Sequence, residues 1–490
     1  MKKYLLELTV FISGLIVMIF EIVGSRVFGP YFGTSTFVWT TLIGVVLGSL
    51  SIGYYFGGKI ADKEATFKKM SLILLMSGFC IGIMIFIKDG LLSVLQDHVK
   101  NINSALIVGG IILFSPTSIF LGMVSPYAAK LRIKNLSTSG ADIGRLYALS
   151  TCGSIVGTFL AGFYLIPFFG TNTLLSLLAI VVIIFSIVLF YEREKFLLLL
   201  LFCGVFWFVS ENNIKTVGKN FVDVDTRYNR VWIYDEQYEQ NKKQFEIRKM
   251  GINNENHSAM LLMSDQLVNE YTKYYHLSRH FHPHFRKSLI FGGAGYSFPK
   301  DYLKVYPHAT IDVVEIDPGV TELAKKYFSL KENSRMNIYH EDGRVFLNKN
   351  IEKYDVIFGD AFGSRYAVPY HMTTVEAVQK MYDTLYDNGV VIVNLISSVD
   401  GKNDFLRAEY YTYKKIFPQV YLFRVQNQNE RHLQNIMLVA LKSQKIPQFT
   451  SEDKKIDEFL KNRWSEELIE DVPILTDDYA PVEYYMRKVL

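Results

Sequence analysis

The stretch Ser288-Leu-Ile-Phe-Gly-Gly-Ala-Gly295 decides how the C-terminal half of this chain is read. A short apolar run suited to a buried strand passes directly into a glycine-rich turn, and Tyr296 to Tyr306 then has the pattern of a helix. Glycines there (Gly292, Gly293, Gly295) let the backbone approach a nucleotide at the carboxyl edge of a parallel sheet. The next strand-like run, Thr310-Ile-Asp-Val-Val-Glu315, ends in an acid about 20 residues further on, where a carboxylate accepts ribose hydroxyls. Two more runs end in acids: Met336-Asn-Ile-Tyr-His-Glu-Asp342 and Tyr354-Asp-Val-Ile-Phe-Gly-Asp360. Asp342 stands where a carboxylate can accept from an exocyclic adenine amine, and Asp360 where one would lie over the reacting centre of a doubly wound sheet. The alternatives are a surface acid for Glu315, a turn-forming Asp-Gly at Asp342, and a helix cap or turn residue at Asp360.

Working outward, Val222 to Met263 alternates apolar with polar or aromatic residues, which predicts a small antiparallel β-subdomain. A Tyr-rich, helix-like segment from Tyr271 to Phe285 connects it to the glycine turn. His276, His280, His282 and His284 flank Pro283 without Cys or acidic company, so they are read as loop and surface residues and no metal site is expected.

The N-terminal half has a different character. The chain of 490 residues is 50% hydrophobic and 20% charged, which excludes a disordered protein, and its first 210 residues or so carry long apolar runs between short charged loops. Spanning a bilayer takes about 20 apolar residues, and runs near 4–24, 38–58, 71–88, 104–125, 145–169 and 172–191 qualify. A seventh, from about Phe196 to Ser210, is shorter and could cross, lie in the interface or re-enter. The first run carries Glu21 and lacks a small-residue cleavage site, so it is expected to stay in place rather than be removed as a signal peptide. Lys59, Lys63, Lys68 and Lys69 in one loop and Lys130, Arg132 and Lys134 in another mark those loops as cytoplasmic. With six spans the C-terminal half is also cytoplasmic; a seventh would place it outside. Small residues at helical spacing (Gly44 and Gly48; Ser49, Gly53 and Gly57; Gly153, Gly157 and Ala161) predict close helix packing. Glu21 should face a polar cavity or a partner such as Arg26 or Arg145. Cys80, Cys152 and Cys203 all fall in apolar runs, which leaves no disulfide framework, and a net charge of +4 gives no basic arm for nucleic acid.

The fold expected is therefore an α-helical transmembrane bundle followed by a small β-subdomain and an α/β doubly wound, Rossmann-like domain of the class I methyltransferase type. The boundaries are 1–212 for the membrane domain of six to seven helices, 213–285 for the β-subdomain with its helical connector, and 286–490 for the nucleotide-binding and catalytic domain.

Taken together these residues resemble the spermidine synthase (polyamine aminopropyltransferase) family, and within it the branch with an N-terminal multi-pass membrane domain. In the first half the similarity lies in Ser13-Gly14 with Phe20-Glu-Ile-Val-Gly-Ser-Arg26, Pro30-Tyr-Phe-Gly33 and Gly144-Arg-Leu-Tyr147. In the second it lies in Gly292-Gly-Ala-Gly-Tyr-Ser-Phe-Pro299, Val314-Glu-Ile-Asp-Pro-Gly-Val320, Glu341-Asp-Gly-Arg-Val-Phe346, Gly359-Asp-Ala-Phe362, Pro369-Tyr-His-Met-Thr-Thr374 and Leu475-Thr-Asp-Asp-Tyr-Ala-Pro-Val482. The resemblance implies transfer of an aminopropyl group from decarboxylated S-adenosylmethionine to an amine such as putrescine, releasing methylthioadenosine, with no metal and with a homodimer formed through the soluble domain. It implies that Glu315 holds the ribose, Asp342 and Gly343 the adenine, that Asp360 takes the proton of the attacking amine, and that Tyr228 and His276 line the acceptor channel.

Two positions differ from the family's pattern: Gly295 replaces an Asp that pairs with the donor's amine, and Gly363 replaces an Asp that helps to bind the polyamine. Asp265, Glu270, Asp477, Asp478 or Glu483 would then compensate, with Asp265 and Asp478 the substrate-binding candidates. Two other readings use the same features: an S-adenosylmethionine-dependent methyltransferase, and a polyamine transporter or sensor whose soluble domain binds a nucleoside without turnover.

Overall fold

The computed structural model describes residues 2–99, 101–133, 136–196, 219–240, 243–253, 255–262, 264–361, 368–398, 403–425 and 433–488. The chain divides into two compact units, Met1–Lys215 and Thr216–Leu490.

In the first unit six helices are long and apolar enough to cross a membrane: Tyr4–Phe32, Thr36–Lys63, Phe67–His98, Ile102–Arg132, Ser139–Phe168 and Thr171–Leu189. Several outrun the apolar stretches that reveal them, because helical hydrogen bonding continues through polar ends such as Lys59–Lys63. The fifth contains a π turn at Ala161–Leu165. Beyond Phe196, the seventh apolar run lies outside the described residues.

Close helix packing occurs where glycine removes the side chain. A Cβ on Gly153 would stand 2.0 Å from the Phe11 carbonyl oxygen, one on Gly157 2.4 Å from that of Leu15, and one on Gly53 2.3 Å from that of Ile119. Gly44 and Gly48 are different: among the described residues a Cβ there meets nothing within 4 Å. The helix Thr36–Lys63 turns Leu42, Val46, Ser49 and Gly53 inward instead, so the expected packing through Gly44 and Gly48 is corrected.

Ion pairs gather the short-loop charges of this unit. Glu7 lies 3.1 Å from both Arg132 and Arg145, Lys130 2.7 Å from Asp62, and Lys68 2.8 Å from Glu192. Arg145 thus pairs with Glu7 rather than with Glu21, and Arg26 donates to the Ile166 carbonyl at 3.3 Å.

The second unit begins with a five-stranded antiparallel sheet in sequential order: β1 (Lys219–Asp225), β2 (Arg230–Gln240), β3 (Lys243–Ile252), β4 (Glu255–Leu261) and β5 (Ser264–Leu267). The Tyr-rich connector forms three short helical turns, Glu270–Tyr274, Tyr275–Leu277 and Ser278–Phe281.

A seven-stranded sheet follows, made of β6 (Lys287–Phe291), β7 (Thr310–Val314), β8 (Met336–Tyr339), β9 (Tyr354–Gly359), β10 (Leu385–Ser397), β11 (Gln419–Arg424) and β12 (Gln434–Leu441). Its order is β11-β12-β10-β9-β6-β7-β8, parallel from β10 to β8, with β12 antiparallel to both of its neighbours. The parallel strands read as near-continuous apolar runs because helices cover both faces, with separate cores around Ile290 and Phe358 on one side and Leu289 and Ile357 on the other. This is the doubly wound, Rossmann-like arrangement. Its strand order reverses between β6 and β9, which opens a crevice above their carboxyl ends.

The glycine contacts predict a contrast. Gly153→Leu should lower the thermal midpoint of the detergent-solubilised full-length protein by several degrees, the effect of about 1–3 kcal/mol of overpacking. Gly48→Leu should leave it unchanged. Equal midpoints for the two variants would contradict the packing described.

Candidate active site

The crevice is built by two strand ends that touch. β6 continues through Gly292, whose N–H donates to the Val314 carbonyl of β7 at 2.9 Å, while on its other side the Asp360 N–H, just past β9, donates to the Phe291 carbonyl at 2.9 Å. Gly292 adopts φ +96°, and a Cβ on it would lie 2.5 Å from the Asp360 carbonyl oxygen, so both the conformation and the contact require glycine. Gly293 packs beneath the ring of Tyr296, whose hydroxyl is 2.7 Å from Thr321 Oγ1.

Glu315, one residue past β7, is buried and turned toward this loop. Its Oε2 accepts from the Gly293 N–H at 2.9 Å and the Ala294 N–H at 3.2 Å, and its Oε1 from the Asp317 N–H at 3.0 Å. Burial raises the carboxyl's pKa, and the three backbone donors work in the opposite direction. Each carboxylate oxygen keeps acceptor capacity, so the group can hold the loop and still receive hydroxyls of a sugar.

Asp360 sits at the tip of β9 on the floor of a cleft of about 1420 Å³, counted with its open mouth. Gly292, Gly293, Ala294 and Phe298 form one wall; Asn394 of β10 and Asn435 of β12 belong to the other. The carboxylate accepts from Asn394 Nδ2 at 3.0 Å and from the Tyr271 hydroxyl at 3.1 Å. Burial pushes its pKa up, while hydrogen bonds from Asn394, Tyr271 and Tyr275 and the nearby His257 pull against that. Tyr271 stays a donor, since burial and the adjacent carboxylate hold its hydroxyl well above the usual phenol range. A raised carboxylate that accepts hydrogen bonds and opens on a cleft is equipped to take a proton from a bound cationic acid.

The other candidates are placed as follows. Asp342 caps the helix Gly343–Lys349, with Oδ1 accepting from the Arg344 and Val345 N–H groups and Oδ2 3.1 Å from His371 Nε2. A Cβ on Gly343 would meet Phe291 and Met372 at 3.1–3.3 Å. Gly295 does not line the cleft; a side chain there would strike Ser258 Oγ at 2.7 Å and Phe328 at 2.8 Å, so an Asp at this position has no room. Gly363 lies outside the described residues.

The four substrate-binding candidates are not brought to the cleft. Tyr228 is exposed in the turn between β1 and β2. His276 is turned away by its own partners, Tyr306 Oη at 2.7 Å and Asp301 at 3.0 Å. Asp265 faces Lys300 at 3.7 Å, and Asp478 is exposed in the turn after Thr476. The neighbouring Asp477 has a structural task, binding Arg344 at 2.6 Å and the Thr374 hydroxyl at 2.6 Å.

Sequence reasoning missed Asn394, Asn435, His257 and the hydroxyl of Tyr271. For Asn394 a signal exists: it is a single amide within the otherwise apolar run Val390–Ile396.

Residues 270–448 match the family described as the spermine/spermidine synthase domain. A polyamine aminopropyltransferase of Vibrio vulnificus is 30% identical over 175 residues, 35% of this chain and 57% of that protein. An eEF1A lysine and N-terminal methyltransferase of Bos taurus is 29% identical over 151 residues, 29% of this chain and 21% of that one. Among solved structures, a probable spermidine synthase from Corynebacterium glutamicum aligns with 53% of this chain and 97% of its own at 18% identity and a TM-score of 0.45. The chain thus spans little more than half the length of the Vibrio relative and less of the bovine one. What it is similar to, from the connector to just past β12, is the spermine/spermidine synthase domain.

Proposed function

We propose that this protein is a membrane-anchored transferase that moves an aminopropyl group from decarboxylated S-adenosylmethionine to an amine. The observation that carries the reading is Asp360: a carboxylate on the floor of the cleft, fixed by Asn394 and Tyr271, beside the glycine loop that Glu315 ties down. The match of residues 270–448 and the similarity to a polyamine aminopropyltransferase support it.

Glu315 receives the ribose hydroxyls of the donor, and Asp342 with Gly343 lies on the side of the base. The acceptor enters the cleft as an ammonium. Asp360 takes one proton from it, which frees the nitrogen lone pair to form a bond to the methylene next to the donor's sulfonium. The carbon–sulfur bond breaks as that bond forms, and its electron pair goes to sulfur, leaving a neutral thioether. Placing the nitrogen in line with that bond is the larger part of the work, and the carboxylate supplies the deprotonated amine at neutral pH. Since Gly295 leaves no room for an acid, the donor's own amine is held by other groups of the cleft.

The six apolar helices anchor this chemistry in a cell membrane, with the Lys/Arg-bearing loops and the soluble unit on the cytoplasmic side, where the nucleotide is made. A second reading, methyl transfer from S-adenosylmethionine, draws on the similarity to a methyltransferase. It is separated from the first by the nucleoside released.

Asp360→Asn should abolish product while leaving methylthioadenosine affinity within about threefold, since the amide cannot accept the proton. In the unmodified enzyme at constant ammonium concentration, the rate should fall as pH drops through the Asp360 pKa. Burial puts that acid limb above the ~3.9 of an ordinary aspartate. Product from the Asn variant would contradict the assignment. Glu315→Gln turns an NH2 toward backbone N–H groups and should weaken methylthioadenosine binding about tenfold or more by calorimetry, the loss of a charged hydrogen bond. Unchanged affinity would remove Glu315 from the nucleotide site.

A further inference from the structure

Behind Asp360 the hydrogen bonding continues one residue further. Asn394 Nδ2 donates to Asp360 Oδ1 at 3.0 Å, and Asn394 Oδ1 accepts from Asn435 Nδ2 at 2.9 Å. Asn394 is 3% exposed and stands on β10; Asn435 is on the adjacent β12, paired across the ladder with Ile396. The two ends of a side-chain amide have the same shape, so the groups around it decide which end points where.

We propose that Asn435 is a positioning residue for the proposed reaction: by donating to Asn394 it locks that amide with its NH2 toward Asp360, and so keeps the carboxylate an acceptor ready for the amine's proton. The inference rests on reading Asp360 as the base. Asn435 acts through Asn394, and its effect comes from the polarity of the chain. Were Asn394 turned over, its carbonyl oxygen would face Asp360 Oδ1 at hydrogen-bonding distance. Two acceptors stay there only with a proton between them, and a protonated Asp360 takes none from an ammonium.

The other groups facing Asp360 do not duplicate this control. Tyr271 binds the opposite oxygen, Oδ2, at 3.1 Å. Tyr275, whose hydroxyl donates to the Gly359 carbonyl at 3.1 Å, also reaches Asp360 and favours its anion, as does the charge of His257, whose Nδ1 lies 2.9 Å from the Glu255 carbonyl oxygen; neither is an amide that can turn over. Glu255 and Glu270 belong to the cleft wall, Glu270 paired with Lys273 at 2.5 Å. Asn394 is therefore the amide whose orientation sets the environment of Oδ1, and Asn435 is the donor that fixes the orientation.

The test is the pH–rate profile of full-length Asn435→Asp and Asn435→Leu at constant ammonium concentration, with methylthioadenosine affinity measured beside it. An ionised Asp at 435 can only accept, so Asn394 should give it the NH2 and present its carbonyl to Asp360. The acid limb should then move up by about one unit or more, a roughly tenfold slower rate below it, with the high-pH plateau and the nucleoside affinity little changed. The Leu variant, which no longer holds Asn394, should move in the same direction by less. An unshifted limb in the Leu variant, or a uniform loss at every pH, would overturn the positioning role, because the negative charge of the Asn435→Asp variant raises the limb by itself. If Asp360→Asn still forms product, the base assignment itself fails, and that result is read independently of Asn435.

Discussion

The close approach of Gly292 to the backbone of Asp360 is the constraint on which the site depends. With no side chain on Gly292, the end of β6 leans against the end of β9 where the strand order reverses. That contact places the glycine loop beside Asp360, and Glu315 ties the loop from the other side through two backbone N–H groups. Two carboxylates, Asp360 and Glu315, are brought to the two sides of one glycine loop by backbone geometry, and the side chains then tune what is there.

The tuning around Asp360 is a balance of opposites. Burial disfavours the anion, and hydrogen bonds from Asn394 and Tyr271 favour it. A carboxyl left to burial alone would be protonated too readily to act as a base near neutrality, and one fully exposed would be too weak to take an amine's proton effectively. Hydrogen bonds from Asn394, Tyr271 and Tyr275 work against the upward push of burial. Such a balance depends on donors keeping their direction, which is why an amide two strands away from β9 matters.

Much of this was legible in the sequence, for identifiable reasons. Apolar strands ending in Gly292, Glu315 and Asp360 follow from the burial of parallel strands on both faces and from the turn that only glycine allows. The six apolar helices were legible by length and composition, but which glycines carry the contacts was not. Gly153 and Gly44 look alike in sequence, and only the arrangement of helices separates them. His276 has its imidazole taken by Tyr306 and Asp301, contacts made 25 to 30 residues away that no local pattern announces. Tyr228 and Asp478 stay on exposed turns for the same kind of reason: a polar residue in a loop can reach many places, and the fold selects one. Asn394 could have been singled out, since an amide inside a buried apolar strand must have a partner.

The account turns on the identity of the transferred group. The most direct measurement is mass spectrometry of the nucleoside and amine products after purified full-length protein is incubated with decarboxylated S-adenosylmethionine, or with S-adenosylmethionine, and a mixture of di- and polyamines. Methylthioadenosine together with an amine heavier by one aminopropyl group is the result expected. S-adenosylhomocysteine with a methylated product, and no methylthioadenosine from the decarboxylated donor, would contradict it.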